Sequence, residues 1–163
     1  MTLSPALIKA FIIFPLNVMG VIPAFILLYE GKFGSHQLEV ATGISGGVLV
    51  ACGLVICWVT VSLFTDHGEG TPAPFAPPKK LVVIGFYRYM RNPMMTGVWC
   101  VLTGEAIFFK SPGIALWFMI FFAGCMALIP LWEEPALEKR FGESYREYKK
   151  KVPRWIPRLT ALL

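Results

Sequence analysis

The chain alternates between long apolar runs and short polar stretches. Two of the runs, 40–65 and 112–132, contain no charged residue, and both reach the roughly 20 helical residues that span a bilayer core. A run near the start carries only Lys9, and a shorter run carries only Glu105. The pattern predicts about four transmembrane helices, over about 6–29, 40–65, 93–109 and 112–132.

The starts of the last two predicted helices carry local signals. Ser111-Pro112 has the form of a helix start, with serine as the cap and proline at the first helical position. Asn92-Pro93 has the same form. Only Lys110 and Ser111 separate the two apolar runs, so the sequence predicts a tight antiparallel hairpin.

Proline and glycine residues predict how the first two helices pack. Pro15 and Pro23 predict a kink in the first helix, and the backbone carbonyls that prolines leave free need another donor. Gly43 and Gly47 form a pair of small residues four positions apart, which permits close helix approach. We expect this pair to pack the second helix against the first, and dimerisation is the alternative.

The residues after the last apolar run follow a helical period of their own. Five apolar or aromatic residues are spaced by 4, 4, 3 and 4 positions and share one helical face, namely Leu137, Phe141, Tyr145, Tyr148 and Val152. The opposite face is charged, which predicts a cytoplasmic amphipathic helix over about 135–152. The whole pattern predicts an all-α integral membrane fold in a single domain over 1–163.

Composition and charge agree with a membrane location. Hydrophobic residues make up 56% of the chain and charged residues 15%, whereas a soluble domain carries about 25% charged residues. Lys32 and Lys110 alone lie on one predicted side, and the other 13 Lys and Arg residues lie on the opposite side. The excess predicts a multi-pass protein whose termini and 66–92 loop are cytoplasmic. Basic blocks beside apolar runs indicate a lipid bilayer as partner and no nucleic acid.

The sequence predicts neither a metal site nor a disulfide set. The four cysteines lie inside apolar runs without a CxxC pair, which is typical of small buried apolar residues: Cys52, Cys57, Cys100 and Cys125. Both histidines fall in predicted loops, so they do not supply haem ligands inside a helix bundle.

Three polar features inside or beside the apolar runs are candidates for chemistry. The aromatic and basic cluster around Tyr87 and Arg91 fits an interfacial anchor, or a site. Glu133 and Glu134 directly follow an apolar run, and helix capping accounts for one acid without requiring two. Glu105 is costly at the bilayer centre, by about 2.5–3.5 kcal/mol, and either has a function or reaches outward to water.

The first two features resemble the signatures of integral membrane methyltransferases. The stretch GFYRYMRNPMMTG, over 85–97, is similar to the family segment GxYRxxRHPxYxG. The tail EEPALEKRFGESYREYKKKVP, over 133–153, is similar to the C-terminal signature of the same family. The group includes isoprenylcysteine carboxyl methyltransferases and phospholipid N-methyltransferases. Two departures are that Asn92 stands where histidine is usual, and Ile129 near where the isoprenylcysteine enzymes often have arginine.

The resemblance implies a function and a set of site residues. It implies transfer of a methyl group from S-adenosyl-L-methionine to a lipophilic acceptor, which is a prenylcysteine-like carboxylate or a phospholipid headgroup amine, at the cytoplasmic membrane face. Arg91 and Glu134 are the implied catalytic residues, and Lys139 or Arg140 the implied substrate-binding residues. The implied cofactor-binding residues are Tyr87, Arg91, Asn92, Pro93, Glu133 and Glu134.

Two other functions fit the same residues. A small four-helix transporter would use Glu105 as a proton-coupled site and would be indifferent to Glu133 and Glu134. A non-catalytic membrane protein of the same fold would not bind S-adenosylmethionine at all.

Overall fold

The computed structural model describes residues 12–34, 39–68 and 79–162, and within them it contains helices and no strand. The helices are α1 (Ile22–Tyr29), α2 (Val40–His67), α3 (Pro93–Phe108), α4 (Pro112–Leu128), α5 (Glu134–Phe141) and α6 (Glu143–Lys151). Two π-helical segments, Ile12–Val21 and Ile129–Glu133, lead into α1 and join α4 to α5, and a 3₁₀ turn covers Gly85–Arg88. Positions 6–11 of the predicted first helix and 69–78 of the predicted loop lie outside the described residues.

Two helical stretches are long and apolar enough to cross a membrane, Val40–Phe64 and Pro112–Phe141. Few of their side chains are buried, and the large side chains of Trp58 and Leu116 are exposed. Apolar surface of this extent is unfavourable in water and indicates association with a membrane. The other two apolar helices, Pro15–Tyr29 and Pro93–Phe108, are shorter, so the count of four spans stays a prediction.

Glycines bring α2 and α3 into backbone contact. A Cβ atom at Gly53 would lie 2.5 Å from the carbonyl oxygen of Gly97, and one at Gly46 would lie 2.7 Å from that of Gly104. The two contacts recur after seven residues on each antiparallel helix, and only glycine permits such close approach. The predicted packing role of Gly47 was wrong, because a Cβ there meets nothing within 4 Å and the main contact of α2 is with α3 through Gly46 and Gly53. The role of Gly43 stays a prediction.

The first helix packs against α4. Pro23 has no N–H to donate to the preceding turn, and in that turn the indole Nε1 of Trp117 donates to the carbonyl of Val18 at 3.1 Å. A backbone carbonyl before the proline thus has the outside donor that was expected, and the kink itself stays a prediction. At the other end of the cleft between these helices, the Gly113 N–H donates to the Glu30 carboxylate at 2.7 Å. These two contacts tie the N-terminal helix to the start and middle of α4.

The helix boundaries show where local signals succeed and fail. Ser111 caps α4 as predicted, because its hydroxyl accepts a hydrogen bond from the Ile114 N–H at 3.0 Å. The capping role predicted for Asn92 was wrong, since its side chain makes no cap hydrogen bond to α3. In place of one helix over about 135–152 there are two, α5 and α6, divided at Gly142, whose φ of +58° favours glycine.

Candidate active site

The polar segment before α3 and the C-terminal segment lie side by side at one end of the long helices. Their backbones are joined by hydrogen bonds from the N–H of Arg91 to the Pro153 carbonyl (2.9 Å) and from the N–H of Arg158 to the Tyr89 carbonyl (3.0 Å). A third runs from the Leu162 N–H to the Arg88 carbonyl at 3.1 Å. The two stretches that carry the predicted site residues are therefore in direct contact.

A small, mainly aromatic core packs between these two segments and supports their contact. Tyr145, Tyr148 and Val152 of the C-terminal part form a buried cluster, against which Leu81 and Val83 pack. The Tyr148 hydroxyl donates to the Tyr87 carbonyl at 2.7 Å in a buried position. Burial raises the pKa of both cluster tyrosines, so their phenols keep the donor proton to higher pH than a solvent-exposed tyrosine does.

The carboxylate of Glu134 is the centre of the site and is only 2% exposed. Its Oε1 accepts from Arg91 Nη2 at 2.8 Å and from Arg154 Nε at 2.7 Å. Its Oε2 accepts from Arg154 Nη2 at 2.8 Å and lies 3.6 Å from Lys149 Nζ. A buried carboxylate needs such compensation, and here three cations from different segments provide it.

The same contacts set the electrostatics of the cations. The hydrogen bond to Glu134 raises the pKa of Arg154, and a hydrogen bond to Glu138 together with the charge of Glu134 raises the pKa of Lys149. The Arg91 side chain is only 8% exposed and also donates from Nη1 to the Lys149 carbonyl at 2.9 Å. Its Nε is buried without a hydrogen-bond partner among the residues described.

The neighbouring glutamate has a different environment. Glu133 ends the π-helical segment, its residue surface is exposed, and within the described part of the chain its carboxylate forms no ion pair with Lys or Arg. Burial is the main cause that raises the pKa of Tyr87, and the nearby Glu133 carboxylate raises it further. The Glu133 side chain thus lies near Tyr87 of the segment before α3 and has no direct cationic partner in the described part of the chain.

The remaining predicted residues occupy different positions around this centre. Pro93 is buried at the first turn of α3, and Asn92 beside it is half-buried with its side chain not used for capping. Tyr87 is buried and packs edge-on against Phe64 at a ring-centroid distance of 5.2 Å, so a direct ligand contact of its ring stays a prediction. Lys139 and Arg140 are both exposed, in the last turn of α5.

Glu105 lies away from this site, near the C-terminal end of α3, whereas Arg91 lies two residues before the start of that helix. One of its carboxyl oxygens is buried without a hydrogen-bond partner among the described residues. About 12 residues of helix at ~1.5 Å each separate it from Pro93, so it does not share the centre formed by Glu134.

Two cations of the site, Lys149 and Arg154, were not predicted as site residues. The sequence places both in a basic tail in which every Lys and Arg looks alike. Trp155 was also missed, and its ring lies 4.7 Å from that of Trp99 on α3, which in turn lies 4.6 Å from Phe122 on α4. No spacing or motif in the sequence distinguishes these three residues from their neighbours.

The fold and this centre define an apolar helical protein that carries a buried, multiply ion-paired polar site at one end of its long helices. Residues 41–144 match the family model for phospholipid methyltransferase, which is more than half of the chain. The chain therefore belongs to the phospholipid methyltransferase family, and the predicted resemblance is confirmed. No curated protein and no solved structure matches it.

Membership of this family has a general functional meaning. It implies methyltransferase activity, and together with the exposed apolar helices it supports an enzyme associated with membranes and lipids. The matched range includes both Arg91 and Glu134, which are the two residues that the fold brings together.

Proposed function

We propose that the protein transfers a methyl group from S-adenosyl-L-methionine to a lipophilic acceptor at the cytoplasmic face of a membrane. The observation that carries this proposal is the contact between Arg91 and Glu134, one from each signature segment of the family. The segments 85–97 and 133–153 are far apart in the sequence and are related only by the family signature. In the fold they share one buried group of charged side chains. Methyltransferases of this family generally use S-adenosylmethionine, which makes it the expected cofactor.

The residues at the site fit such a cofactor. S-adenosylmethionine carries a sulfonium and an ammonium, and Glu133 offers a carboxylate without a direct cationic partner in the described part of the chain. The Glu134 carboxylate is already bound by Arg91, Arg154 and Lys149, so it holds the site together and leaves the ligand contact to Glu133. Asn92 adds an amide side chain that α3 does not use.

The residues of the chain have separate tasks in this proposal. When bound, the cofactor supplies an electrophilic methyl group on a sulfonium. Glu133 neutralises positive charge, and Arg91, Asn92 and Pro93 shape the wall of the site at the start of α3. The chain chiefly aligns the acceptor and excludes water, since an in-line displacement gains most from orientation.

The acceptor in this proposal enters from the lipid. A phospholipid headgroup amine and a prenylcysteine-like carboxylate both combine a long apolar part with a polar reacting atom. Lys139 and Arg140, exposed at the end of α5, are placed to bind an anionic group of such a molecule. Incubation of the purified protein with a membrane lipid extract and cofactor labelled in its methyl group tests this, because the label must appear in an extractable lipid.

The membrane topology is part of the same proposal. We place both termini and the site on the cytoplasmic side, with four helical spans, on the strength of the 13 to 2 distribution of Lys and Arg. Single cysteines introduced into the tail of a cysteine-free variant would react with a membrane-impermeant reagent only after the cytoplasmic side is opened. If a cysteine in the tail is labelled in intact cells, the tail lies outside the cell. The orientation is then the reverse of the proposed one, and the site lies on the outer side.

A further inference from the structure

The segment that follows α6, residues 153–162, forms what we call the C-terminal strap. Its backbone pairs with the segment before α3 in antiparallel order, Pro153 with Arg91, Arg158 with Tyr89, and Leu162 with Arg88. The Arg88 Nε also donates to the Leu162 carbonyl, and Arg158 Nη1 donates back to the Lys151 carbonyl at 2.8 Å. The strap is therefore fixed along its length, unlike a solvated basic tail.

One strap side chain reaches the centre of the site. Arg154 binds the Glu134 carboxylate with a planar fork, Nε to Oε1 at 2.7 Å and Nη2 to Oε2 at 2.8 Å. A bidentate contact fixes both the position and the rotation of a carboxylate. Because Arg91 binds the same Oε1, the orientation of Glu134 also determines where the Arg91 guanidinium lies.

Neighbouring contacts connect this fork to the helices. The ring of Trp155, the next residue of the strap, lies 4.7 Å from the ring of Trp99, which is nearly two helical turns beyond the Asn92-Pro93 start of α3. Arg154 is 29% exposed in its side chain, so it acts at the edge of the site while Glu134 is buried. An anchoring arginine at a membrane surface would contact lipid headgroups and would not need this carboxylate.

We propose that Arg154 is a positioning residue of the enzyme. Acting through Glu134, it sets Arg91 and the start of α3 in the geometry that binds the cofactor, and the strap keeps it in place. This inference rests on the proposed function, because its main readout is cofactor affinity. It adds to that function a role for the C-terminal strap.

The experiment uses the full-length protein purified in detergent and titrated with S-adenosylmethionine by calorimetry. Arg154→Ala removes the fork, and Arg154→Lys keeps the charge without the bidentate geometry. Arg146→Ala is the matched control, since Arg146 makes only an exposed ion pair with Glu143 on α6. In metal sites, removing an outer group that orients a ligand weakens metal affinity by about 10–100-fold. By analogy, we expect Arg154→Ala to bind S-adenosylmethionine at least about tenfold more weakly.

Affinity and stoichiometry distinguish positioning from simple structural support. Positioning predicts a weaker Kd at unchanged stoichiometry, an intermediate Kd for Arg154→Lys, and a wild-type Kd for Arg146→Ala. Structural support alone predicts fewer active molecules that bind with the wild-type Kd, and this result would overturn the proposal. If Arg154→Ala does not fold, the Kd of Arg154→Lys for S-adenosylmethionine is measured in its place. A wild-type Kd for Arg154→Lys would also overturn the proposal.

Amide hydrogen exchange separates this inference from the proposed function. In the protein without cofactor, residues 85–92 should exchange faster in Arg154→Ala than in wild type or Arg146→Ala, because the strap and Glu134 no longer hold them. Wild-type protein that does not bind the cofactor refutes the proposed function and this inference together. Wild-type protein that binds, with equal Kd in Arg154→Ala, refutes only the positioning role.

Discussion

The Nη2 atom of Arg91 lies 2.8 Å from Oε1 of Glu134, although 43 residues separate the two in the sequence. Arg91 ends the polar segment before α3, and Glu134 begins α5 directly after the apolar helix α4 and its π-helical continuation. Arg154 and Lys149 complete the same centre from the C-terminal part. These contacts show that Glu134 holds the site together, and the ligand contact is the task that we propose for Glu133.

Replacing Glu134 by glutamine should destabilise the protein. Glutamine keeps the shape but removes the charge that compensates Arg91 and Arg154, and we expect a loss of about 2–3 kcal/mol from contacts to charged groups. Thermal unfolding in detergent measures the effect. Glu143→Gln is the control, because its pair with Arg146 is exposed and worth roughly 0–1 kcal/mol. Equal stability of the two variants would argue against Glu134 as the structural centre.

Adding a methyl group at Gly53 should disturb the contact between α2 and α3. The new Cβ would lie 2.5 Å from a backbone oxygen of Gly97, which cannot move aside like a side-chain end, and overpacking of this kind costs about 1–3 kcal/mol. Gly47→Ala is the matched control on the same helix, since its Cβ meets nothing within 4 Å. A melting temperature for Gly53→Ala as high as that of Gly47→Ala would rule out this interface.

Asn92→Ala should leave the stability of α3 unchanged, because the asparagine side chain does not cap the helix. Ser111→Ala should lose about 1 kcal/mol, since the serine hydroxyl does cap α4. Thermal unfolding of both variants checks the difference. If Asn92 also contributes to the ligand site, cofactor affinity falls in Asn92→Ala alone, whereas a stability loss as large as that of Ser111→Ala would restore the capping role.

The hydrogen bond of Tyr148 predicts a dependence of stability on alkaline pH. Burial raises the pKa of its phenol, so the folded protein keeps this proton when an unfolded tyrosine, with a pKa near 10, loses it. Above about pH 10 the folded state binds more protons, and the free energy of unfolding falls as pH rises. Tyr148→Phe should be less stable at pH 8 and should lose less stability between pH 8 and pH 11. Parallel curves for the two proteins would contradict this.

Much of the fold follows directly from local signals in the sequence. The charge-free runs predicted α2 and α4, because nothing in a run such as 40–65 interrupts an apolar helix. Ser111-Pro112 gave the start of α4 correctly, since a serine cap and a proline at the first position act within one turn. The two signature segments, 85–97 and 133–153, identified the family from the sequence. They also pointed to Arg91 and Glu134 as site residues.

The contacts between distant segments could not be predicted in the same way. Which glycines of α2 touch α3 depends on the rotation of both helices, so Gly46 and Gly53 look no different from Gly47 in the sequence. Arg154 reaches Glu134 only because the chain turns at Gly142 and again after α6. Asn92 has the form of a cap, yet its backbone conformation leaves its side chain free of that role.

The most direct test of the central claim is a calorimetric titration of S-adenosylmethionine into wild-type protein and Glu133→Gln. We predict that the wild type binds and that Glu133→Gln binds about 10–150-fold more weakly, the equivalent of roughly 1.5–3 kcal/mol for a contact between charged groups. The melting temperature of Glu133→Gln should stay at the wild-type value because the Glu133 residue is exposed. The Glu105→Gln variant should bind S-adenosylmethionine with the wild-type affinity. Wild-type affinity in a stable Glu133→Gln protein, or no binding by the wild type, would contradict the proposed cofactor site.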